Sequence, residues 1–159
     1  MADDAAKLVA EIGGRLHQQS RPTKDFLIKS LRQAASALLE LEQKSSLEPA
    51  IKPLSGSFVK HGLLHNKDKD VKLLVAICCS EIIRVMAPEP PFDDKELREI
   101  FELFVSMFAE LANTTSPYFS RRVKILETFA KYNFCMLMLD INCDFLVLEM
   151  FNTFFSVAR

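Results

Sequence analysis

Apolar residues recur every three or four positions along most of the chain, which is the spacing of one buried face of an α-helix. The pattern begins in 3–19 with Leu8, Ile12 and Leu16. It continues in 23–42 with a stripe of Leu27, Leu31, Ala34, Ala35 and Leu38. The positions predicted to face water in that helix are Lys24, Arg32, Ser36 and Glu40. No segment shows a convincing strand pattern, so the sequence predicts an all-α fold.

The middle of the chain holds an interrupted helical region and then a strongly apolar one. Pro49, Pro53 and Gly56 predict a kink in 46–64, or a short helix followed by another. The next stretch is HNKDKDVKLLVAICCSEIIRVMAPEPPFDD, residues 65–94. Its apolar residues surround nearly the whole helix, which predicts burial on both sides. The prolines after Met86 end that helix.

The second half begins with a helix start signal in FDDKEL, where Asp93 can cap the helix and Glu96 can reach back. Phe92 and Leu97 flank this capping box as a hydrophobic staple. In NTTSP we expect Ser116 to cap a sixth helix over 117–138, with Pro117 at its first position. A last helix is predicted from Asp144 onward.

The predicted helices form antiparallel pairs, and the second helix of two pairs begins alike. DVKLLVA at Asp70 and RVKILET at Arg122 both place an apolar residue before a cation, a pattern typical of HEAT repeats. We therefore expect one HEAT/armadillo-like α-solenoid domain over 1–159 with about three helix pairs. Ten of the 13 phenylalanines follow residue 100, and the last helix is apolar all round. That face predicts further repeats or a partner, as in the N-terminal part of a longer array.

Composition and charge exclude several classes of protein. Hydrophobic residues make up 49% of the 159 positions, enough for a core, and the formal net charge is -1. No global field therefore favours nucleic acid or an acidic membrane, and direct nucleic-acid binding is expected to be weak or absent. The cations of Arg15 to Arg32 are interpreted as a solvated helical face, with a nucleic-acid or acidic protein partner left open as the alternative. The start of the chain lacks signal-peptide features and no apolar stretch is long enough to span a membrane.

The candidates for chemistry favour packing over catalysis. Cys78 and Cys79 lie in the apolar stretch, where burial is more consistent with packing than with a reactive thiol. His61 and His65 have the spacing of two ligands on one helix face but lack the glutamate of the zinc-protease motif. Cys135 and Cys143 complete no zinc spacing, and no phosphate-binding glycine loop is present. We expect no enzyme, no metal and no cofactor, in a reduced cytosolic or nuclear protein.

The proline-rich corner at 87–92 remains as a candidate site. It combines small and apolar residues, a stiff backbone and one acid, and stiffness lowers the entropic cost of docking a peptide. From the residues alone, a simple helix-stopping linker is the alternative.

The stretch KDVKLLVAICCSEIIRVMAPEPPF resembles the signature of the precocious-dissociation-of-sisters family, HEAT-repeat regulators of cohesin. SPYFSRRVKILETFAKY and the closing FFSVAR are similar to the segments that follow in that family, most closely in its plant members. The resemblance covers roughly 45–159 well and the first helices loosely. It implies a nuclear, chromatin-associated scaffold in sister chromatid cohesion and DNA repair, with cohesin subunits and the cohesin-release factor as partners.

In that family a turn of the type Ala-Pro-acid-Ala-Pro-aromatic receives short aromatic-containing peptide motifs. The resemblance places this role here on Ala87, Pro88, Glu89, Pro91 and Phe92. Pro90 stands where the family usually has alanine, and Phe92 stands where tyrosine is common. The alternatives are a generic HEAT adaptor of transport or phosphatase type, or a truncated paralogue without cohesin activity of its own.

Overall fold

The computed structural model describes residues 2–158, and within that range it contains eight α-helices and no strand. The chain divides into two compact units, the first ending at Phe92 and the second beginning at Asp93. The helices of the first unit are α1 (Ala2–Gln18), α2 (Lys24–Leu39), α3 (Glu48–Lys60) and α4 (Lys69–Met86). The helices of the second unit are α5 (Asp94–Ala109), α6 (Phe119–Lys131), α7 (Phe134–Asp140) and α8 (Asp144–Val157).

In the first unit the helices pack in two layers. α1 lies against α3, α2 lies against α4, and α1 also contacts α2. This places successive helix pairs on one another, which is the stacking of HEAT-like repeats. The predicted all-α, HEAT-like fold is confirmed.

Side-chain caps set the start of several helices. The Thr23 hydroxyl accepts a hydrogen bond from the Phe26 amide at 3.2 Å, and the Asp68 carboxylate accepts from the amides of Asp70 and Val71. At α5 the Asp93 carboxylate accepts from the Glu96 amide at 2.8 Å, while the Glu96 carboxylate accepts from the Asp93 amide at 2.9 Å. The capping box predicted from FDDKEL is therefore confirmed.

Two expectations about the first unit need correction. Ile12 and Leu16 are buried as predicted, but Leu8 is 38% exposed, because the buried face of α1 continues through Val9 and Ala5 instead. α3 continues through Pro53 without a break, and the chain turns instead at Gly62, whose φ of 61° is left-handed. Pro53 only removes one amide donor from the helix, which the surrounding packing tolerates.

A glycine sets how closely α1 and α3 approach. A Cβ added at Gly13 would lie 2.4 Å from the Leu54 nitrogen and 2.9 Å from its Cα. Both contacts are with backbone, which cannot swing aside as a side chain can. A Cβ at the neighbouring Gly14 would meet nothing within 4 Å. The two adjacent glycines of α1 therefore have opposite roles.

The second unit departs from the predicted single helix over 117–138. The helix begins only at Phe119, because the Ser116 hydroxyl accepts from the Tyr118 amide in a turn that precedes it. It ends at Lys131, and α7 starts after Asn133, whose φ of 55° is left-handed. Asparagine tolerates that conformation better than most residues. At this residue the chain changes direction between α6 and α7.

The break between α6 and α7 brings phenylalanines of all four helices into one cluster. The rings of Phe129 and Phe134 lie 5.5 Å apart, and Phe104 of α5 contacts both. Phe108 reaches Phe129 at 5.5 Å and Phe154 of α8 at 5.6 Å. Edge-to-face and tilted contacts of this kind add to the burial of apolar area. The aromatic cluster is the core of the second unit.

The last helix is only half covered. Leu146 and Met150 are buried, whereas large apolar side chains cover its other side. The exposed members on α7 and α8 are Met136, Leu139, Phe145, Leu148, Phe151 and Phe155. The predicted apolar surface is present, and none of the described helices is long and apolar enough to cross a membrane.

Gly13→Ala should lower the free energy of unfolding by about 1–3 kcal/mol, because the added methyl group forces the backbones of α1 and α3 apart. Gly14→Ala, the matched control, should raise it by about 0.5–1 kcal/mol, since alanine is the better helix former and has room. Urea unfolding followed by circular dichroism measures both. Equal effects of the two substitutions would show that the α1–α3 approach does not depend on Gly13.

Candidate functional site

The proline-rich corner, residues Ala87 to Phe92, lies at the end of α4 and belongs to the first unit. Pro88 and Glu89 are exposed, and Ala87 and Pro91 are half-buried. Phe92 is 9% exposed, so its side chain is packed in the interior and offers little surface to a ligand. The Ala87–Pro88 peptide bond is cis.

Backbone hydrogen bonds fold the corner tightly. The Glu89 amide donates to the Met86 carbonyl at 3.0 Å, and the Phe92 amide donates to the Pro90 carbonyl at 2.9 Å. Within this turn Glu89 and its sequence neighbour Pro88 are both exposed to solvent. The structure thus brings the five predicted site residues together in one compact turn, with four of them at least partly accessible.

A second segment, the linker after α2, holds this corner from the side. The Gln43 side-chain amide donates to the Ala87 carbonyl at 2.8 Å. The Lys44 backbone amide donates to the Val85 carbonyl at 3.0 Å. The final carbonyls of α4, which have no partner inside their own helix, are therefore satisfied by the linker.

Arg84, in the last turn of α4, makes the reciprocal connection to the end of α2. Its Nη1 donates to the Leu41 carbonyl at 2.8 Å and its Nη2 to the Leu38 carbonyl at 2.9 Å. Nε and Nη2 also reach Glu81 Oε2 at 2.8 and 2.7 Å. The ends of α2 and α4 thus cap each other, and we call this set of contacts the Arg84 clamp.

Both charges of the Arg84 clamp are removed from water. The side chains of Arg84 and Glu81 are 11% and 5% exposed. A buried ion pair stabilises little relative to apolar packing, but removing one partner leaves the other uncompensated, which costs about 3–5 kcal/mol. Arginine is also suited to this position, since its planar fork can serve a carboxylate and two carbonyls together.

Neither supporting residue, Gln43 or Arg84, was predicted from the sequence. Gln43 and Arg84 lie about 40 positions apart, and no spacing rule connects them. The signal in the sequence was Arg84 itself, a single cation near the end of an apolar helix. A cation at that position can donate to carbonyls at a helix C-terminus. The glutamate one turn earlier, Glu81, completes an i, i+3 pair that could also have been found.

The cysteines predicted to be packing residues are in the core. Cys78 and Cys79 are fully buried, and the Cys78 thiol lies 3.6 Å from the Leu31 carbonyl. Burial is the main cause that raises the pKa of both thiols above the ordinary value. The negative charge of Glu81 raises the pKa of Cys78 further. Neither sulfur has the exposed, electropositive surroundings of a reactive thiolate.

The two histidines do not share a helix face. His61 follows the last residue of α3, and its Nε2 lies 2.8 Å from the Leu16 carbonyl of α1. His65 lies beyond the left-handed Gly62, in a short 3₁₀ turn. Among residues 2–158 no group of three or more potential metal-ligating side chains comes together.

The cations singled out between Arg15 and Arg32 are all exposed. Lys24 pairs with Asp68, with 2.8 Å between Nζ and the carboxylate oxygen. This hydrogen bond lowers the pKa of Asp68 and raises that of Lys24. The pair joins the start of α2 to the cap of α4 on the solvent side.

Helices packed in pairs, with no strand among the described residues, define this chain as an α-helical repeat protein of HEAT type. It belongs to the sister chromatid cohesion protein PDS5 family, whose family model matches residues 25–159. It is 47% identical over 161 residues to the sister chromatid cohesion protein PDS5 homolog A of Arabidopsis thaliana, covering 100% of this chain and 10% of that protein.

More distant members are similar over the same region. The human PDS5 homolog A is 34% identical over 142 residues, which cover 86% of this chain and 10% of that protein. The Schizosaccharomyces pombe sister chromatid cohesion protein pds5 is 30% identical over 138 residues, covering 86% of this chain and 12% of that protein. The chain therefore spans only about a tenth of the length of these relatives.

Arg84→Met should lower the free energy of unfolding by about 3–5 kcal/mol, because it leaves Glu81 buried without its cation and removes the side-chain donor from the carbonyls of Leu38 and Leu41. Thermal and urea unfolding measure the loss. Lys24→Met removes the exposed pair with Asp68 and should change stability little, since water screens that pair. A tolerated Arg84→Met would show that the clamp does not hold the ends of α2 and α4.

A thiol reagent at pH 8 should label Cys135 first, because this cysteine is partly exposed, whereas Cys78, Cys79 and Cys143 are buried. Burial also raises the pKa of Cys135, so even its labelling should be slower than that of a free thiol. Cys78 and Cys79 should react only after urea unfolding, which peptide mass spectrometry would resolve. Rapid labelling of Cys78 in the folded chain would contradict its assignment to the core.

Proposed function

We propose that this chain is a non-enzymatic cohesin cofactor that acts in sister chromatid cohesion and docks short peptide motifs at the 87–92 corner. Membership of the PDS5 family and the names of its relatives support the cohesion role. The proposal includes the nucleus as its location, cohesin subunits and the cohesin-release factor as partners, and a contribution to DNA repair.

The observation that carries the docking proposal is an exposed acid on a fixed turn. Glu89 projects from a corner whose backbone is bound to Met86 within the turn and to Gln43 of the linker. A surface already held in one conformation loses little entropy when a ligand binds. The ligand must then supply a surface for the exposed Pro88 ring and a cation for Glu89.

A peptide with an aromatic residue and a nearby basic residue meets both requirements. Proline rings and aromatic side chains pack well against each other, and an aromatic residue brings a large apolar area with few rotatable bonds. The Glu89 carboxylate, at the edge of the docking surface, would orient the peptide and disfavour acidic peptides. Its contribution to affinity would be smaller than its contribution to specificity. The Arg84 clamp and Gln43 determine where this carboxylate stands.

The exposed apolar side of α7 and α8 supports a place within a larger assembly. Six large apolar side chains are exposed on these two successive helices, more than the single exposed apolar residues that are normal on a protein surface. In the proposal, further repeats or a partner cover this side while the corner stays open. Nothing in this arrangement favours direct contact with DNA, since the net charge is -1.

Glu89→Lys should weaken binding of a labelled aromatic–basic motif peptide at least about tenfold, because attraction at the corner becomes repulsion. Fluorescence anisotropy of the purified chain measures this. Glu11→Lys is the matched control, since it makes the same charge change at an exposed position of α1 and should leave affinity unchanged.

Gln43→Ala separates rigidity from charge in the same titration. Losing its bond to the Ala87 carbonyl should weaken peptide binding severalfold while the melting temperature stays nearly constant, because Gln43 is exposed. Equal affinity of wild type, Glu89→Lys and Gln43→Ala would refute docking at the corner. Absence of binding by the folded wild-type chain would do the same.

A further inference from the structure

The connection between α5 and α6 contains an exposed serine–proline step. Residues 113–115 and Pro117 are exposed, and Ser116 between them is half-buried. The Ser116 amide donates to the Asn113 carbonyl, and its own carbonyl accepts from the Phe119 amide at 3.1 Å. Only this hydroxyl in the NTTSP segment is followed by proline, the sequence context that proline-directed protein kinases accept.

A buried cation faces that hydroxyl. Arg122 is 8% exposed, and its Nη1 lies 3.5 Å from Ser116 Oγ. Its guanidinium carbon stands 5.4 Å from the centre of the Tyr118 ring, a cation–π contact. Within the part of the chain that the structure describes, the buried Arg122 Nε has no hydrogen-bond partner.

This arrangement is electrostatically incomplete. A buried guanidinium is stabilised when a carboxylate or phosphate accepts from its fork, and a hydroxyl and an aromatic face supply much less. The first turn of the 13-residue α6 begins at Phe119 beside the same point and adds the positive end of a helix dipole. Arg122 and the start of α6 therefore favour an anion at Ser116 Oγ.

We propose that Ser116 is a phosphorylation site whose phosphate is held by Arg122 and the first turn of α6. In the reaction, Ser116 Oγ attacks the γ-phosphorus of ATP bound to a proline-directed kinase. The bond from that phosphorus to the β,γ-bridging oxygen breaks, ADP leaves, and the hydroxyl proton passes to the base of the kinase. The ester oxygen can still accept from the Tyr118 amide, so the turn before α6 persists.

Phosphorylation of Ser116 would act locally, at a site separate from the docking corner. A phosphoserine carries a charge of about −1.5 to −2 at pH 7 and three strong acceptor oxygens, which can bond to the Arg122 guanidinium, whose Nε has no partner among the described residues. It would fasten the α5–α6 connection to the start of α6. The modified chain thus gains a charged surface at this connection and a more rigid α6 start.

The test begins with the 159-residue chain, a proline-directed kinase and ATP, followed by peptide mass spectrometry. Incorporation at Ser116, and none in Ser116→Ala, is the expected result. The phosphorylated chain is then titrated by ³¹P NMR beside a phosphorylated peptide of residues 113–119. Contact with Arg122 should lower the second phosphate pKa from about 6 by roughly half a unit or more.

Two substitutions identify the cation that holds the phosphate. Arg122→Lys keeps a charge but loses the fork, so the pKa shift should shrink, whereas the exposed neighbour Arg121→Ala should keep most of it. The melting temperature should rise by about 2–4 °C on phosphorylation of the wild-type chain. No incorporation at Ser116, a phosphate that titrates as in the peptide, or a shift lost in Arg121→Ala would each overturn the proposal.

Discussion

The first unit depends on one interaction, the mutual capping of α2 and α4 by Arg84. Every helix leaves its last carbonyls without donors, and here two helices solve the problem for each other. Arg84 donates to the end of α2, and the linker that follows α2 donates back to Val85 and Ala87 at the end of α4. Glu81 compensates the charge of the guanidinium in a helix that is apolar on nearly all sides. Because one of these hydrogen bonds is accepted by Ala87, the first residue of the proposed docking surface, the contacts that stabilise the fold also position that surface.

Most of the fold could be predicted from the sequence because helix formation leaves a strong local record. The stripe from Leu27 to Leu38, the all-round apolar pattern of α4 and the FDDKEL capping box each correspond to a described helix or cap. The errors arose where tertiary contacts override the local pattern. Asn133 breaks the expected long helix so that Phe129 and Phe134 can meet Phe104, a contact that no periodicity contains. Leu8 has the spacing of a buried residue, but α1 buries Val9 and approaches the backbone of α3 at Gly13, and Leu8 lies at the edge of that face.

The candidate site was predictable in its exposed part and not in its supports. The prolines around Glu89 can be identified directly in the sequence, and the family resemblance implies a role for them. Gln43 and Arg84 act through distances of 2.8–2.9 Å across more than 40 positions of sequence, so only the folded chain brings them to the corner. Phe92 shows the opposite limit of sequence reasoning. An aromatic residue at the end of the signature suggests a contact surface, yet its burial makes it part of the scaffold.

Two arginines in this chain are removed from water in different ways, and the difference has functional meaning. Arg84 has a carboxylate and two carbonyls as permanent partners from its own unit, so its charge is compensated whenever the chain is folded. Arg122 has an aromatic face and a serine hydroxyl, and its Nε has no partner among the described residues. A protein gains nothing in stability from leaving a buried guanidinium partly satisfied, since an apolar residue of similar size would serve as well or better. Such an arginine is useful if its anion arrives later, and a serine followed by proline within 3.5 Å gives that anion a covalent route.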